Sequence, residues 1–474
     1  MIPVTMFAGR NVAVQGLGVS GLSAARALRA GGANPVLWDD KESAREEAEA
    51  AGFIVSDLQA ADWSRLAALV LAPGIPLTHP EPHWSVKRAR QAGVEVIGDM
   101  ELFFRERALA GAPGKVVVIT GTNGKSTTTA LAAHLLAEAG KRVALGGNIG
   151  KAVLDLDPFA PDLTYVIELS SFQIELAPGL SPDAAALLNI SSDHLDRHGT
   201  VEDYARIKAS IFAHLAPGGT AMIGVDDQPS RAIADSLNGA FAVKRIAVGH
   251  PVETGVYATD GVLHEMEGGK ELARVDLAGI GSLRGAHNWQ NAATAYALAR
   301  SQGLVSAAIA QGLKSFAGLA HRMEQVARRG KVLFVNDSKA TNADAAGKAL
   351  ASFTDIYWIV GGRPKEGGLA GLEPFYPRIA RAYLIGEAAE DFARQLGDAV
   401  DHVQCGTLAR AVAQASADAG GSESDAREPV VLLSPACASY DQFDNFAKRG
   451  DAFRDLVMAL DGAESVKPEQ GQAA

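Results

Sequence analysis

The sequence predicts an α/β protein made of three domains with parallel sheets. Short runs of Val, Ile and Leu alternate with alanine-rich stretches of helical periodicity along the chain, which is typical of parallel α/β layers. The alternation restarts twice after the first segment, and 474 residues are too many for one hydrophobic core. We therefore predict domains at residues 1–108, 109–318 and 319–474.

Composition and charge argue against several classes of protein. The net charge of −11 argues against a general nucleic-acid binder, which needs a basic surface. The only cysteines, Cys405 and Cys437, cannot make a disulfide framework and fit a reducing compartment. The N-terminus lacks the pattern of a signal peptide, and no apolar run approaches the roughly 18 residues of a membrane span. We expect a cytoplasmic protein with no nucleic-acid partner and no membrane insertion.

A glycine pattern follows the first predicted strand. Gly16, Gly18 and Gly21 match G-x-G-x-x-G, which in Rossmann-like domains places a nucleotide diphosphate at a tight strand-to-helix turn. Glycines at such a turn also serve packing alone. Asp39 and Asp40 end the next strand and could hold a ribose or lie on a solvent-facing loop. An NAD-dependent oxidoreductase is therefore one hypothesis.

A second glycine-rich loop, GTNGKST at residues 121–127, lies between an apolar run and a helical pattern. It is two residues tighter than the common phosphate loop G-x-x-x-x-G-K-[ST]. Backbone N–H groups at a helix N-terminus bind anions, Lys125 would reach the β- and γ-phosphates, and Ser126 or Thr127 would bind magnesium. The alternative is an ordinary turn that caps the helix.

Acidic side chains follow the next strands of this domain. Glu168 ends an apolar run, where a carboxylate would meet a phosphate-bound Mg²⁺. Ser170 with Gln173 matches a capping box, so part of this segment serves the helix start. Asp193 and His194 follow a later strand, and we interpret His194 as a site residue and not as a solitary surface histidine.

Lys208 lies in the middle of the apolar stripe of a helix predicted over residues 201–215. A lysine in that position either extends its ammonium to water or loses its charge, because desolvation lowers its pKa. An uncharged amine can react with CO₂ to form a carbamate, which is an anionic metal ligand. The alternative is a lysine that reaches water at the domain edge.

The third domain has a lysine just past each of two strands, Lys339 and Lys365, with Ser439 and Phe446 after a third. Ligands of open α/β sheets bind at the carboxyl ends of the strands. Two lysines there suggest an anionic ligand, although serine and asparagine at these positions also cap helices.

The motifs GTNGKST, GGNIG, ELSSFQ, NDSKATN, GAHNWQNAATA and LSPACASYDQFDNF together resemble the Mur ligases, the ATP-dependent amino-acid ligases that build the peptidoglycan stem peptide. The resemblance is greatest to the members that add D-glutamate to UDP-N-acetylmuramoyl-L-alanine. It implies a Rossmann-like N-terminal domain, a central P-loop ATPase-type domain with a parallel sheet, and a Rossmann-like C-terminal domain. It also implies an acyl-phosphate intermediate and ATP with two Mg²⁺ ions. We expect the chain to be a monomer.

The same resemblance implies the site residues. Lys125, Glu168, His194 and Lys208 would be catalytic. The ATP site would contain Gly121, Thr122, Asn123, Gly124, Lys125, Ser126, Thr127, Asn288, Asn291, Arg322 and Asp337. Ser126, Glu168, His194 and carbamylated Lys208 would bind metal. The UDP-linked substrate would contact Gly18, Val19, Ser20, Asp40, Lys41, Pro73, Gly74, Asn148, Ser170 and His194. D-Glutamate would contact Lys339, Thr341, Lys365, Ser439 and Phe446.

One loop departs from the family pattern, and several alternatives stay open. Arg363 and Pro364 precede Lys365 in a variable loop, which leaves the loop geometry undecided. Another Mur-type ligase is possible, but more than a hundred residues precede Gly121, unlike in the folate polyglutamate ligases, and the third domain lacks the DNPR-like motif of the diaminopimelate-adding ligase. An NAD-dependent oxidoreductase would leave GTNGKST without a role, and a nucleotide-binding regulator would not need the strand-end acids.

Overall fold

The computed structural model describes residues 1–239, 241–421 and 428–466. The chain forms two compact units, the first comprising residues 1–276 with 290–314 and the second residues 277–289 with the chain from 315 onward. The boundaries at residues 108 and 318 stay a prediction, because the first unit contains two separate sheets. Among the described residues, none of the helices has the length and apolar character needed to cross a membrane.

The first sheet has four parallel strands in the order β2-β1-β3-β4. A buried apolar face of its strands packs against the helices, as expected for a parallel sheet covered by crossovers. Its elements are β1 (Asn11–Gln15), α1 (Val19–Ala30), β2 (Asn34–Trp38), α2 (Glu42–Ala50), β3 (Leu66–Leu71), α3 (Trp84–Gln91), β4 (Glu95–Ile97) and α4 (Asp99–Leu109).

The second sheet has nine strands in the order β13-β12-β11-β10-β9-β8-β5-β7-β6. All neighbours pair in parallel except β11 with β12 and β12 with β13, which form an antiparallel extension. Its elements are β5 (Lys115–Thr120), α5 (Lys125–Glu138), β6 (Arg142–Gly147), β7 (Leu163–Glu168), α6 (Ser171–Glu175), β8 (Ala184–Leu187), α7 (Leu195–His198), α8 (Val201–Ala209), β9 (Thr220–Gly224), α9 (Gln228–Ser236), β10 (Ala242–Val248), β11 (Gly255–Thr259), β12 (Val262–Glu267), β13 (Lys270–Asp276), α10 (Ala286–Ser301) and α11 (Ser306–Ser315).

The second unit is built on a seven-stranded sheet in the order β18-β17-β16-β19-β15-β14-β20. Its central strands β15, β19, β16 and β17 are fully or largely buried and pair in parallel. Its elements are β14 (Glu324–Arg329), β15 (Val332–Asn336), α12 (Ala343–Leu350), β16 (Ile356–Gly361), β17 (Ile379–Ile385), α13 (Ala389–Leu396), β18 (His402–Gly406), α14 (Leu408–Gly420), β19 (Val430–Leu433), α15 (Phe446–Met458) and β20 (Glu464–Ser465).

One helix differs from its predicted length. The stripe pattern predicts a helix over residues 201–215, whereas α8 ends at Ala209 and continues as a 3₁₀ turn over Ser210–Phe212. The buried side chains of Ile211 and Phe212 keep the apolar stripe facing the core through this turn. Lys208 therefore still lies in the last turn of a regular α-helix, on its buried face.

Candidate active site

The loop at residues 121–127 joins the buried strand β5 to helix α5. Gly124 caps the helix with a left-handed backbone, φ 86°, and a Cβ there would lie 2.3 Å from Oδ1 of Asn291. No other residue type fits that position without strain. Asn189, which the sequence analysis did not single out, supports the loop, because its Oδ1 accepts from the Asn123 N–H at 2.9 Å and its Nδ2 donates to the Asn123 carbonyl. Asn189 thus fixes the loop at the N-terminus of α5, and anion binding by this loop stays a prediction.

Two lysines meet at this loop. Nζ of Lys125 donates to the carbonyls of Gly121 and Thr122 at 3.0 and 2.8 Å. Nζ of Lys208 donates to the same Gly121 carbonyl at 3.0 Å and to Oγ1 of Thr120 at 3.2 Å. Lys208 therefore reaches the phosphate loop from helix α8, which is 87 residues further along the chain.

Lys208 is buried, with 1% of its surface exposed, and its Nζ lies 4.6 Å from the centre of the Tyr204 ring. Burial and the nearby charge of Lys125 lower the pKa of Lys208 well below its ordinary value, against the opposing attraction of Asp193 and Glu168. The prediction that this lysine lies inside the apolar stripe is confirmed, and the alternative that it reaches water is wrong. The lowered pKa favours the neutral amine more than at an exposed lysine.

Glu168 ends β7 as predicted and is 1% exposed. Its Oε1 accepts from Nδ2 of Asn148 at 2.7 Å, whereas Oε2 is buried without a hydrogen-bond partner in the described chain. An unpartnered buried carboxylate oxygen is costly, which indicates that a cation or donor completes this position. Ser126, buried in the first turn of α5, belongs to the same sheet edge.

His194 is half exposed and begins α7 in a left-handed conformation, φ 53°. It lies seven residues after the end of β8. His194 therefore does not lie at the strand end, whereas Glu168 is the last residue of β7. Its ring packs edge-on against Phe172 at 5.0 Å, and its Nε2 lies 3.5 Å from Oδ2 of Asp193. In the described part of the chain, no cluster of three or more His, Cys, Asp and Glu is arranged to hold a metal. The predicted metal set depends instead on Ser126 and a modified Lys208 beside Glu168 and His194.

A cleft of about 780 Å³ lies between the first two sheets. Apart from His194, every residue predicted to contact the UDP-linked substrate lines it, and these nine come from both sheets of the first unit: Gly18, Val19, Ser20, Asp40, Lys41, Pro73, Gly74, Asn148 and Ser170. Ser170 also forms the predicted capping box with Gln173. Phe172, which lines the cleft and touches His194, was not predicted.

The two aspartates after β2 have different surroundings. Asp39 is used by the fold, because its carboxylate accepts from the backbone N–H groups of Leu17 and Lys41 at 2.7 and 2.8 Å. Asp40 lines the cleft. Burial raises its pKa, but the hydrogen bonds from His83 and Trp84 together with the charge of His83 bring it below its ordinary value. Asp40 is therefore an ionised acceptor at the cleft edge.

The glycines of G-x-G-x-x-G have separate roles. A Cβ on Gly21 would lie 1.8 Å from the carbonyl oxygen of Gly16, so Gly21 permits close packing of α1 on the turn. Gly18 has nothing within 4 Å of such a position and lines the cleft. The packing role is therefore observed at Gly21, and the ligand role of Gly18 stays a prediction.

In the second unit, Lys339 follows β15, Lys365 follows β16 and Ser439 follows β19, at the same edge of the sheet. Nζ of Lys339 lies 4.0 Å from the centre of the Phe446 ring. The Lys365 and Ser439 loops are joined by backbone hydrogen bonds between Arg363 and Ala438 at 2.9 and 3.1 Å. These bonds fix the variable loop before Lys365, whose geometry the sequence left undecided.

Buried polar groups support this edge. Arg449, which the sequence analysis missed, is 1% exposed and donates to Oγ and the carbonyl of Ser338 and to the carbonyl of Cys437. Burial lowers its pKa to about 10. Asp337, the residue before Ser338, is buried and accepts a hydrogen bond from Ser434 Oγ at 2.9 Å. Burial raises the pKa of Asp337 to about 7.

The remaining predicted residues are less closely tied to one another. Asn291 is buried and accepts from Oγ1 of Thr128 at 3.2 Å, directly behind the phosphate loop. Asn288 lies on the same helix, α10, in the part of that helix that belongs to the second unit. Its Nδ2 donates to the Arg284 carbonyl. Arg322 lies in the second unit between two left-handed residues, and Thr341 is partly buried after β15.

Three family models match successive segments of the chain. They are "Mur ligase MurD-like, N-terminal domain" at residues 10–98, "Mur ligase middle domain" at 119–299 and "Mur ligase, glutamate ligase domain" at 321–437. Solved structures share the fold: the UDP-N-acetylmuramate-alanine ligase of Thermotoga maritima has a TM-score of 0.56 at 17% identity, covering 94% of this chain and 98% of that one. The chain belongs to the Mur ligase family.

Within that family, this chain is similar to proteins named UDP-N-acetylmuramoylalanine–D-glutamate ligase. The protein of Nitrobacter winogradskyi is 56% identical, covering 98% of this chain and 100% of the relative. The protein of Brucella suis is 55% identical, with both chains covered completely. The prediction of a three-domain α/β ligase is confirmed, and these comparisons decide for the ligase over the oxidoreductase.

Proposed function

We propose that this chain joins D-glutamate to UDP-N-acetylmuramoyl-L-alanine, with ATP converted to ADP and phosphate, in peptidoglycan synthesis. The observation that carries the proposal is the cleft between the first two sheets, because nine residues expected to hold the UDP-linked substrate line one cavity. The relatives named for this reaction match the chain from end to end. We further propose that it acts in the cytoplasm as a monomer.

The phosphate loop holds the triphosphate in this proposal. Backbone N–H groups of residues 121–127 and the dipole of α5 attract the phosphates, and Lys125 exchanges its bonds to the loop carbonyls for phosphate oxygens. Positive charge there stabilises the γ-phosphoryl group during transfer. In the first unit, the ATP site would comprise Gly121, Thr122, Asn123, Gly124, Lys125, Ser126, Thr127 and Asn291. For Asn288, Arg322 and Asp337 of the second unit, a role in ATP binding stays what the family resemblance implies.

Magnesium fits the residues at this sheet edge. The unpartnered Oε2 of Glu168 is a hard oxygen ligand, and the Ser126 hydroxyl lies in the first turn of α5. We assign Ser126 and Glu168 to one Mg²⁺ ion, and His194 with carbamylated Lys208 to a second. When bound, these ions neutralise charge on the phosphates and polarise their oxygens.

Lys208 becomes a ligand through reaction with CO₂. The lone pair of its neutral Nζ forms a C–N bond to carbon, one C=O π bond becomes an oxyanion, and Nζ loses a proton to solvent. The remaining N–H can still donate to the Gly121 carbonyl, which Nζ already contacts at 3.0 Å. The product carries a negative charge, which an amine in either protonation state lacks.

The chemical steps follow from the bonds that change. A carboxylate oxygen of the alanyl substrate attacks the γ-phosphorus of ATP, and ADP leaves, which gives an acyl phosphate. The D-glutamate amine attacks the acyl carbon, a proton is lost, and phosphate leaves with the former carboxylate oxygen. Lys339, Thr341, Lys365, Ser439 and Phe446 would hold D-glutamate, with the two lysines facing its carboxylates.

An isotope experiment tests this function. The UDP-linked substrate is labelled with ¹⁸O in its carboxylate and incubated with enzyme, ATP, Mg²⁺ and D-glutamate. We expect amide product and phosphate in equal amounts, with one ¹⁸O in each phosphate. Unlabelled phosphate would exclude the acyl-phosphate route, and the absence of phosphate release would exclude the function.

A further inference from the structure

Arg197 joins the two sheets that enclose the cleft. It lies on α7, and its Nη1 donates to the carbonyl of Gly74 at 2.8 Å while Nη2 donates to the carbonyl of Ile75 at 3.2 Å. Gly74 and Ile75 follow β3 of the first sheet and line the cleft. One side chain of the second sheet's α7 thus holds two successive carbonyls on the first-sheet wall, more than 120 residues earlier in the chain.

The same guanidinium lies over the ring of Phe172. Its Cζ lies 4.7 Å from the centre of the Phe172 ring, and Phe172 lines the cleft beside Ser170. His194 packs edge-on against that ring at 5.0 Å, and His198 stacks on it at 5.1 Å. Arg197 therefore connects the first-sheet loop to the aromatic group that supports His194.

Stability alone does not explain this placement. Nε of Arg197 is buried without a hydrogen-bond partner in the described chain, and leaving a buried donor unmade costs free energy. A planar guanidinium can bind two carbonyls and stack on a ring at once, whereas an ammonium presents a single charged point. The arrangement favours a role in setting distance and orientation between the walls.

We infer that Arg197 is a positioning residue that fixes the loop at Pro73–Ile75, and with it the uridine end of the substrate, relative to His194. This inference rests on the proposed function and deepens it. The UDP end and the reacting carboxylate lie at opposite ends of one substrate, so the spacing of the two walls decides whether both are seated together. Arg197 would then matter only for substrates that carry the uridylyl group.

The test compares Arg197→Met and Arg197→Lys with wild type on two substrates. One is the complete UDP-linked substrate, and the other is the 1-phosphate of N-acetylmuramoyl-L-alanine, which lacks the uridylyl group. We expect the KM for the complete substrate to rise about tenfold in Arg197→Met, which corresponds to losing about one hydrogen bond from a charged group. The KM for ATP and kcat should change by less than about twofold. With the truncated substrate, kcat/KM of variant and wild type should agree.

A matched control is Arg206→Met on α8, because the Arg206 guanidinium is exposed and pairs with Asp203 on the same helix. It should leave all kinetic constants unchanged. An equal loss on both substrates, or an unchanged KM for the complete substrate, would overturn the inference. If thermal unfolding curves show that Arg197→Met is not folded, the test uses Arg197→Lys. That variant keeps the charge but cannot donate to both carbonyls at once.

The outcome is separable from that of the proposed function. Absence of turnover by the wild-type enzyme would contradict the function itself. Binding of UDP alone, measured by calorimetry, does not need turnover, and the inference predicts that Arg197→Met weakens it about tenfold while ADP binding stays unchanged. Unaltered UDP affinity in a folded variant would refute the positioning role, whichever reaction the enzyme catalyses.

Discussion

Replacing Lys208 tests the carbamate hypothesis most sharply. Its side chain is 1% exposed, and Nζ makes two hydrogen bonds, to Thr120 and Gly121. Lys208→Met keeps most of the volume and loses two hydrogen bonds worth about 1 kcal/mol each. Lys208→Ala also leaves a cavity, so we expect it to lower the free energy of unfolding by about 2–4 kcal/mol. The free energy of unfolding of a native protein is typically about 5–15 kcal/mol, so both variants should remain folded.

The effect on activity should be much larger than the effect on stability. Removing a group that only hydrogen-bonds to a metal ligand typically lowers activity about 10–100-fold. Loss of the anionic ligand itself should therefore lower kcat/KM by at least about 100-fold. Acetate can enter the space that Lys208→Ala vacates and restore part of the rate. Lys208→Met and Lys208→Arg fill that space and should stay inactive with acetate.

Phosphate release measured over an acetate series provides the assay, with unfolding curves as the control for folding. Rescue of Lys208→Ala alone supports a carboxylate-like ligand at this position. Near-normal turnover of Lys208→Ala without added carboxylate would refute the reasoning, because the lysine would then serve packing only. Equal rescue of Lys208→Met would also count against it, since methionine leaves no room for the anion.

Three further predictions concern pH, the phosphate loop and the metal. Burial and neighbouring positive charge lower the pKa of His198 from 6.5 to about 4, so the unfolded chain binds the extra proton between these values. In urea unfolding, the free energy of unfolding of wild type should fall relative to that of His198→Gln as the pH falls from 6.5 to 4. A difference between the two proteins that does not change with pH would contradict this. Gly124→Ala should abolish ATP binding and cost more stability than Gly140→Ala, because both have φ near 80° but only the Cβ at Gly124 meets Asn291; equal costs would argue against the clash. Glu168→Gln should raise the Mg²⁺ concentration for half-maximal turnover at least about tenfold, and an unchanged titration would remove Glu168 from the metal site.

The sequence predicts those features that depend on local periodicity or on short motifs. The apolar stripe of α8 correctly places Lys208 inside, and the spacing of Ser170 and Gln173 correctly predicts a capping box. Both signals lie within one helical segment. The nine cleft residues came from the family resemblance, and the structure brings them to one cavity.

The sequence does not predict contacts between distant segments. Asn189 supports the phosphate loop across 66 residues, and Arg197 reaches the Gly74 carbonyl across 123, so no local pattern marks either residue. Arg449 is missed for a different reason, because an arginine on an amphipathic helix is ordinarily exposed. Only the buried carbonyls that it meets in the fold explain its position.

Local polarity is a poor guide at two segments that are partly helix or strand in the structure. The composition of residues 417–429 and 464–474 predicts a solvated loop and a frayed tail. Helix α14 extends to Gly420, and Glu464 and Ser465 pair with β14 as an added edge strand. The rest of these two segments, residues 422–427 and 467–474, lies outside the described residues.

Phosphate release with a panel of amino acids decides whether this chain is a D-glutamate-adding ligase. The enzyme is given ATP, Mg²⁺, UDP-N-acetylmuramoyl-L-alanine and, in separate reactions, D-glutamate, L-glutamate, L-alanine or diaminopimelate. We predict robust turnover with D-glutamate alone, with amide product equal to phosphate released. Two lysines at one sheet edge suit an amino acid with two carboxylates, and the relatives are named for the D-isomer. Equal turnover with L-alanine or diaminopimelate would contradict the account.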